Sequence, residues 1–252
     1  MNAPIALITG ASRGLGKNTA QHLARQGSDL ILTYRSGADE ARQLVDEIEA
    51  LGRRAVALPL DVAQSESFPA FAAQVKAALT RVWQRETLDH LVNNAGIGTH
   101  AAFSDTTEAQ FDTLVDIHFK GPFFLTQALL PLIADGGRIV NVSSGLARFT
   151  LPGSSAYASM KGAIEVLTRY LAKELGPRGI AVNVVAPGAI ETDFSGGMVR
   201  DNPALNTMIA SQTALGRVGL PDDIGAAISL LLQPGNGWIT GQRIEASGGM
   251  FL

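Results

Sequence analysis

The chain has 252 residues, a formal net charge of −3 at pH 7, 46% apolar residues and no cysteine. The lack of cysteine excludes disulfide bonds and thiolate metal sites. The small negative charge without a basic run gives no electrostatic footprint for nucleic acid, and no apolar run reaches the length of about 18 residues that a membrane span needs. We therefore expect a globular protein with a large core, no nucleic-acid partner and no membrane span.

The first predicted element is a short strand over residues 5–9, which leads into a glycine-rich turn over residues 10–16 and a helix over residues 17–26. Strand, glycine-rich turn and helix are the context of a dinucleotide-binding fingerprint. Glycine lets the backbone approach a pyrophosphate, and the helix N-terminus offers free N–H groups, so this turn is expected to bind phosphates. The spacing Gly-x-x-x-Gly-x-Gly is a variant of the general fingerprint, and a chance glycine-rich turn is the alternative.

The second predicted strand, residues 29–34, is followed by Arg35 and Ser36. An NAD site normally has an acidic residue at this point, which binds the ribose 2′-hydroxyl. The first acidic residue after the strand is Asp39, which we place in the next helix. Arg35 and Ser36, with Arg13 in the glycine-rich turn, suit a 2′-phosphate instead, because guanidinium matches phosphate geometry. The pattern predicts NADP(H); the alternative is that Arg35 is a solvated strand-end residue.

Five further strands are predicted at residues 55–60, 88–92, 138–142, 180–186 and 243–246, and helical patterns separate them. This alternation predicts a doubly wound parallel sheet of seven strands with helices on both faces. No linker or repeat divides the chain, so a single α/β domain over residues 1–252 is expected. Residues 192–213 combine glycines with weak periodicity, which predicts a mobile substrate lid; an ordinary helical excursion is the alternative.

A helix predicted from residue 156 to 174 carries Tyr157 and Lys161, which are four residues apart and share one helix face. The ammonium would favour the phenolate, so that the tyrosine pKa falls from about 10 towards a range useful in acid–base catalysis. Alone, this pair is a weak signal, since it occurs by chance on many solvated helices. Ser144 precedes Tyr157 by thirteen residues. Ser143 competes with it, but adjacent strand residues point to opposite faces, so only one serine can face the site.

Together these motifs resemble the short-chain dehydrogenase/reductase family, and its 3-oxoacyl-carrier-protein reductases in particular, along the whole chain. The resemblance implies a Rossmann fold and hydride transfer between NADP(H) and a carbonyl compound or an alcohol. It is supported by further motifs in the family order at Asp61-Val62, Asn93-Asn94-Ala95-Gly96, Pro187-Gly188, Thr192, Thr240-Gly241 and Gly248-Gly249. The expected cofactor-binding residues are Gly10, Ser12, Arg13, Gly14, Leu15, Gly16, Arg35, Ser36, Asp61, Val62, Asn94, Ala95, Gly96, Tyr157, Lys161, Pro187, Gly188, Ile190 and Thr192.

The resemblance also implies catalytic roles. Tyr157 would protonate the carbonyl oxygen, Ser144 would hydrogen-bond the same oxygen, and Lys161 would bind the nicotinamide ribose. His118 departs from the pattern, because it stands where the family usually has a catalytic Asn that holds a water between the lysine and solvent. If the imidazole preserves this relay, it should be neutral in the active state, and activity should fall as the pH drops through its pKa, about 6.5 when unperturbed. The alternative is a packed helix histidine.

The leading interpretation is an NADPH-dependent carbonyl reductase that acts on a ketone or a 3-oxoacyl compound. The alternatives are an NAD(P)-dependent alcohol or sugar dehydrogenase and, on the strength of His118, a nucleotide-binding sensor without turnover. The loops after the fourth, fifth and sixth strands are mostly apolar. Arg148 and His100 are the titratable candidates there for binding an acid group of the substrate, although each reads more readily as a rim residue.

The remaining expectations concern metals, location and assembly. The four histidines have no metal-ligand spacing, so no metal is expected. The first strand begins a few residues into the chain, which leaves no room for a signal peptide and makes the cytoplasm the default location. The family resemblance implies a homotetramer that forms through the helices with His118 and Tyr157 and through the last strand.

Overall fold

Seven strands build one sheet in the computed structural model, which describes residues 3–252. They are β1 (Ile5–Ile8), β2 (Asp29–Tyr34), β3 (Ala55–Pro59), β4 (Leu88–Asn93), β5 (Ile133–Val142), β6 (Ala181–Pro187) and β7 (Arg243–Ala246). The order across the sheet is β3-β2-β1-β4-β5-β6-β7, and all neighbours pair in parallel. The predicted doubly wound sheet is confirmed, with its topological switch point between β1 and β4.

Helices cover both faces of the sheet. In the described part of the chain they are α1 (Gly14–Arg25), α2 (Ala38–Ala50), α3 (Phe68–Ala78), α4 (Glu108–Val115), α5 (Gly121–Leu129), α6 (Ser155–Leu175), α7 (Met198–Asp201), α8 (Pro203–Ser211) and α9 (Pro221–Leu232). Because successive strand residues point to opposite faces, Leu7 packs in a cluster with α3, α5 and α6, whereas Ile8 packs in a second cluster with α1, α2 and α9. None of these helices, over residues 3–252, is long and apolar enough to cross a membrane.

The fifth strand begins five residues earlier than expected, at Ile133 instead of residue 138. Ile133 pairs with Leu88, and the register then shifts before His90 pairs with Arg138. The intervening Ala-Asp-Gly-Gly run reads as a turn, because glycine and aspartate are typical turn residues. The run forms a bulge between the two paired parts of β5, in which Gly136 has a φ of 77°.

Two irregular segments lie above the carboxyl ends of the strands. Residues 116–120 form a π-helical turn between α4 and α5, a distortion that is frequent at functional sites. The expected lid, residues 192–213, contains the short helices α7 and α8. Before them the backbone takes left-handed φ angles at Ser195, Gly196 and Gly197, of 53°, 71° and 78°. Because it contains these two helices, the segment is more regular than its weak periodicity predicts.

Candidate active site

Ser144 is placed towards Tyr157 by the extended end of β5. Its backbone is still extended, with φ −159° and ψ 151°, so Ser143 and Ser144 point to opposite faces. Ser143 Oγ lies 2.7 Å from Glu165 Oε1 on α6. Ser144 Oγ accepts a hydrogen bond from Leu146 N at 3.2 Å, and its hydroxyl lies near enough to the Tyr157 phenol to favour the phenolate. Of the two candidate serines, Ser144 is the one that faces the tyrosine.

Tyr157 and Lys161 lie in the first two turns of α6. The Lys161 ammonium is 5.5 Å from the centroid of the Tyr157 ring and donates a hydrogen bond to Val142 O at 2.8 Å. Burial lowers the pKa of Lys161 to about 7. Burial also raises the pKa of Tyr157, against the smaller opposing effect of the nearby Ser144 hydroxyl. The sequence-based expectation that Lys161 lowers the phenol pKa is therefore outweighed by burial, and the phenol keeps its proton at neutral pH.

His118 is buried in the π-helical turn, with 2% of its surface exposed. Its Nε2 lies 2.9 Å from Ile97 O, so Nε2–H donates to this carbonyl, and the ring meets Tyr157 edge-on with 5.1 Å between centroids. Its Nδ1 is buried without a hydrogen-bond partner among residues 3–252. Burial, and then the charge of Lys161, lower the pKa of His118 to about 2. The imidazole is neutral, and an acidic limb near pH 6.5 is no longer expected in the rate profile.

A buried neutral histidine predicts a pH-dependent loss of stability instead. An unfolded histidine titrates near pH 6.5, whereas the folded-state pKa of His118 is about 2. Between these values the unfolded chain binds the extra proton, so stability is complete above about pH 6.5 and falls as the pH drops. We expect His118→Asn to reduce this fall, which is at most about 1.4 kcal/mol per pH unit for one group. Denaturant unfolding between about pH 7 and pH 5 measures it.

Two other histidines control this experiment. Burial lowers the pKa of His90 to about 4, so its contribution remains in the variant and the slope does not vanish. His100→Asn, at an exposed histidine, is the matched substitution against which His118→Asn is compared. If His118→Asn loses stability in parallel with the wild type, the imidazole of His118 is hydrated rather than buried.

The glycine-rich turn after β1 leaves room for a phosphate group. A Cβ on Gly16 would lie 2.4 Å from Gly10 O, so only glycine lets α1 pack this closely on the turn. Gly14 has a φ of +56°, and a Cβ there would meet only Thr192, at 4.0 Å. An open cavity of about 290 Å³ adjoins this turn, lined by Gly14, Lys17, Asn18, Gln21, Glu191, Thr192, Asp193, Arg200 and Pro221. The turn therefore fits a pyrophosphate, with Thr192 on the far side.

At the adenosine end, two guanidinium groups are available. Arg13 precedes α1 and Arg35 follows β2; both are exposed, and neither forms an ion pair within residues 3–252. Ser36 is exposed beside Arg35, whereas Asp39 lies in the first turn of α2 and pairs with Arg42 at 2.7 Å. Arg13 and Arg35 can supply cationic donors to a 2′-phosphate, and the carboxylate of Asp39 is paired with Arg42.

The other predicted cofactor residues lie at the same edge of the sheet. Asn94 differs from the expectation in detail, because its side-chain amide donates to Thr9 O at 2.8 Å and Gly10 O at 3.2 Å and so braces the glycine-rich turn. Asp61 Oδ1 accepts from Ala63 N at 3.0 Å and holds the turn after β3. The remaining residues follow β3, β4 and β6: Val62, Ala95, Gly96, Gly188 and Ile190.

Arg148 is not free to bind a substrate acid group, contrary to its candidacy from the sequence. It donates to both carboxylate oxygens of Glu245, at 2.7 and 2.6 Å. Sequence reasoning also missed Phe194, whose ring centroid is 6.1 Å from that of Tyr157. Its position above the tyrosine depends on the left-handed turn at Ser195, which no local pattern indicates.

A larger open cleft of about 640 Å³ lies at the opposite edge of the sheet, by the amino end of β2. Its buried acid, Asp29, accepts from Arg54 N at 2.9 Å, from Arg54 Nε at 3.1 Å and from Trp83 Nε1 at 2.8 Å. Because these three hydrogen bonds engage both oxygens of the Asp29 carboxylate, we assign Asp29 a structural role in joining β2 to Arg54 and Trp83.

Known proteins resemble the chain over almost its whole length. A family model described as Enoyl-(Acyl carrier protein) reductase matches residues 10–251. The hydroxynaphthalene reductase-like protein Arp2 of Metarhizium brunneum is 34% identical, over 97% of this chain and 94% of its own. The promiscuous reductase LugOII, which catalyses keto-reduction at C1 during lugdunomycin biosynthesis, has a TM-score of 0.93 at 37% identity, covering 99% and 98% of the two chains. The angucycline C-6 ketoreductase LanV, solved with bound NADP, has a TM-score of 0.93 at 34% identity, covering 98% and 95%.

Proposed function

Because the chain belongs to the short-chain dehydrogenase/reductase family, we propose that Ser144, Tyr157 and Lys161 carry out the NADPH-dependent reduction of a ketone. The protein is an NADP-dependent oxidoreductase that reduces a carbonyl group to an alcohol. The observation that supports this residue assignment is that the Ser144 hydroxyl, Tyr157 and the buried Lys161 lie together at the carboxyl edge of the sheet, with the Lys161 ammonium 5.5 Å from the centroid of the Tyr157 ring. When bound, NADPH supplies the hydride.

The protein's side chains supply a proton to the carbonyl oxygen of the substrate and stabilise the negative charge that develops on it. The phenol of Tyr157 keeps its proton, because burial raises its pKa, and gives it to the carbonyl oxygen as negative charge develops there. Ser144 donates a hydrogen bond to the same oxygen. Lys161, with a pKa lowered to about 7 by burial, is suited to return a proton to the phenolate afterwards. The neutral His118 holds Ile97 in the loop after β4 and keeps the Tyr157 ring in place.

The cofactor would be held along the same edge of the sheet. The glycine-rich turn takes the pyrophosphate at Gly14, and Thr192 faces it across the cavity. Arg13, Arg35 and Ser36 take the 2′-phosphate. The same proposal places the enzyme in the cytoplasm.

Apolar side chains around the reacting groups favour a bulky apolar ketone. Phe194, which lies 6.1 Å from Tyr157 between ring centroids, is 44% exposed, and Leu151 and Met198, in the segments after β5 and β6, are 53% and 45% exposed. Large apolar side chains that remain exposed in a cleft commonly mark a binding site. Together with the hydroxynaphthalene and angucycline relatives, they support a fused-ring ketone rather than a charged sugar.

A substrate screen tests this function. NADPH consumption is followed with a fused-ring ketone such as 1-tetralone, with 3-oxoacyl thioesters and with keto-sugars, and alcohol oxidation is followed with NADP⁺ and NAD⁺. We expect the highest kcat/KM for the fused-ring ketones with NADPH. Higher values for an alcohol or sugar in the oxidative direction would replace the proposal with a dehydrogenase, and no turnover of any compound would support a sensor.

The apolar faces of the helices support assembly as a homotetramer. Two exposed groups of large apolar residues are present, one on α4, α5 and α6 and one beside β7; they comprise Phe111, Phe123, Phe124, Val166 and Tyr170, and Leu230, Trp238 and Leu252. Contiguous apolar patches on a protein surface mark interaction sites. The first group lies on the helices around Tyr157, as the family resemblance implies.

Light scattering at micromolar concentration is expected to give about four times the monomer mass of 26.4 kDa. Val166→Glu should shift the mass towards smaller species, because it places a charge in the proposed contact. Leu51→Glu is the matched control, since Leu51 is similarly exposed, at 48%, and directly follows α2, away from both groups. A mass near that of the monomer for the wild type would rule the tetramer out.

A further inference from the structure

A continuous series of ion pairs lies behind Ser144. It joins Glu165 on α6, Arg243 and Glu245 on β7, and Arg148 in the loop after β5. Arg243 donates from Nε to Glu165 at 2.7 Å and from Nη1 to Glu245 at 2.8 Å. Arg148 donates hydrogen bonds to both carboxylate oxygens of Glu245. This contact is the main reason why the Glu245 pKa is lowered to about 2. We call these four residues the ion-pair series.

One end of the ion-pair series holds the strand end that carries the catalytic serine. Glu165 Oε1 accepts a hydrogen bond from Ser143 Oγ at 2.7 Å, and Arg243 Nη2 lies 3.5 Å from Ser144 O. Glu165 is four residues after Lys161 on α6, so both side chains project from the same helix face. The backbone on either side of the Ser144 hydroxyl is therefore tied to the helix that carries Tyr157.

The other end reaches the lid through the 248–251 segment. Arg148 Nη2 donates to Met250 O at 2.8 Å, and Nη1 lies 3.4 Å from Phe251 O. Met250 also packs against Ile209 of α8. Three backbone hydrogen bonds then join this segment to the residues that follow α8, from Ala214 N to Gly249 O, from Leu215 N to Gly248 O and from Phe251 N to Gln212 O, at 3.2, 3.0 and 3.0 Å.

We propose that the ion-pair series is a positioning network that couples the lid to the strand end carrying Ser144. Bidentate arginine–carboxylate contacts have a fixed geometry, and side chains that are only 13%, 23% and 19% exposed at Glu165, Arg243 and Glu245 are poorly replaced by water. Lid closure over a ketone and placement of the Ser144 hydroxyl are thereby set together. The proposal goes beyond the proposed function but rests on its assignment of Ser144.

Breaking the network at the lid end should also affect the strand end. Arg148→Gln releases the 248–251 segment and leaves Glu245 paired with Arg243. We expect the KM for the ketone to rise about tenfold, equivalent to about 1.4 kcal/mol, and kcat to fall as well, while the KM for NADPH changes little. Glu165→Gln should lower kcat, because Ser144 is misplaced, and should also raise the ketone KM. If Arg148→Gln raises only KM and Glu165→Gln lowers only kcat, the two ends act separately and the coupling is overturned; a purely structural role would lower the melting temperature of both variants and leave KM and kcat unchanged.

Amide hydrogen exchange gives a readout that needs no turnover. Residues 205–215 should exchange faster in Arg148→Gln, because their anchor to the loop after β5 is lost. Arg85→Gln is the matched control: Arg85 makes a bidentate contact with Asp89 at 2.8 and 2.9 Å, at the amino end of β4. That variant should lose stability while the ketone KM and the exchange of residues 205–215 stay unchanged.

The coupling is overturned if Arg148→Gln behaves like Arg85→Gln, with thermal stability reduced but the ketone KM and the exchange rates unaltered. The proposed function fails in a different way. A fully active Ser144→Ala variant would remove the role of Ser144, whereas the exchange experiment would still report whether Arg148 anchors the lid.

Discussion

Tyr157→Phe is expected to remove almost all turnover while NADPH still binds. The substitution keeps the ring that packs against His118 and Phe194 and removes only the hydroxyl that we propose as the proton donor. General acid catalysis contributes about 10²–10⁴-fold to rate, and burial, which raises the pKa of the Tyr157 phenol, leaves that phenol protonated for this role. We expect kcat to fall by a factor in this range.

The measurement is kcat at saturating ketone and NADPH, with NADPH affinity determined by direct titration. Tyr170→Phe is the matched control, because Tyr170 lies on the same helix with 64% of its surface exposed. It should retain full activity. If Tyr157→Phe keeps more than about a tenth of the wild-type kcat, another group must be the acid.

Arg35→Ala is expected to weaken NADPH binding without affecting NADH. Only NADPH carries the 2′-phosphate, and a hydrogen bond to a charged group contributes roughly 1.5–3 kcal/mol, or about tenfold to 150-fold in affinity. Arg35 is exposed and Arg13 remains available, so the loss should lie near the lower end of this range.

The measurement is the dissociation constant of NADPH and of NADH, both at the same salt concentration, for the wild type and for Arg35→Ala. Arg42→Ala is the matched control, since Arg42 is also an exposed arginine near the start of α2 but is paired with Asp39. It should change neither constant. Equal losses for NADPH and NADH in Arg35→Ala would show that Arg35 supports the fold or binds the pyrophosphate.

The sheet could be predicted from the sequence because strands buried on both faces appear as uninterrupted apolar runs. β6, for example, is buried at every residue. The start of β5 could not be predicted, since the Asp135-Gly136-Gly137 run has turn composition and forms a bulge, and the pairing of Ile133 with Leu88 before it depends on tertiary contact. Local composition thus identified the strands but not the full extent of one of them.

The site was predictable where its chemistry is local and not where it depends on packing. Tyr157 and Lys161 share a helix face by spacing alone. The pKa of His118, in contrast, depends on burial beneath the loop after β4, which the helix pattern does not contain. Arg148 appeared to be a free rim residue because its partner, Glu245, is 97 residues away.

The strand order also has an evolutionary consequence. The groups that suit the 2′-phosphate follow β1 and β2 on one wing of the sheet, whereas Ser144, Tyr157 and the lid follow β5 and β6 on the other. Substitutions at distant sites with no shared partners have nearly additive free-energy effects. Selection can therefore exchange one nucleotide for another by mutation near Arg35 with little effect on the residues around Tyr157 that we propose select the ketone. The strand order thus allows the preference for one nucleotide and the range of substrates to change independently in evolution.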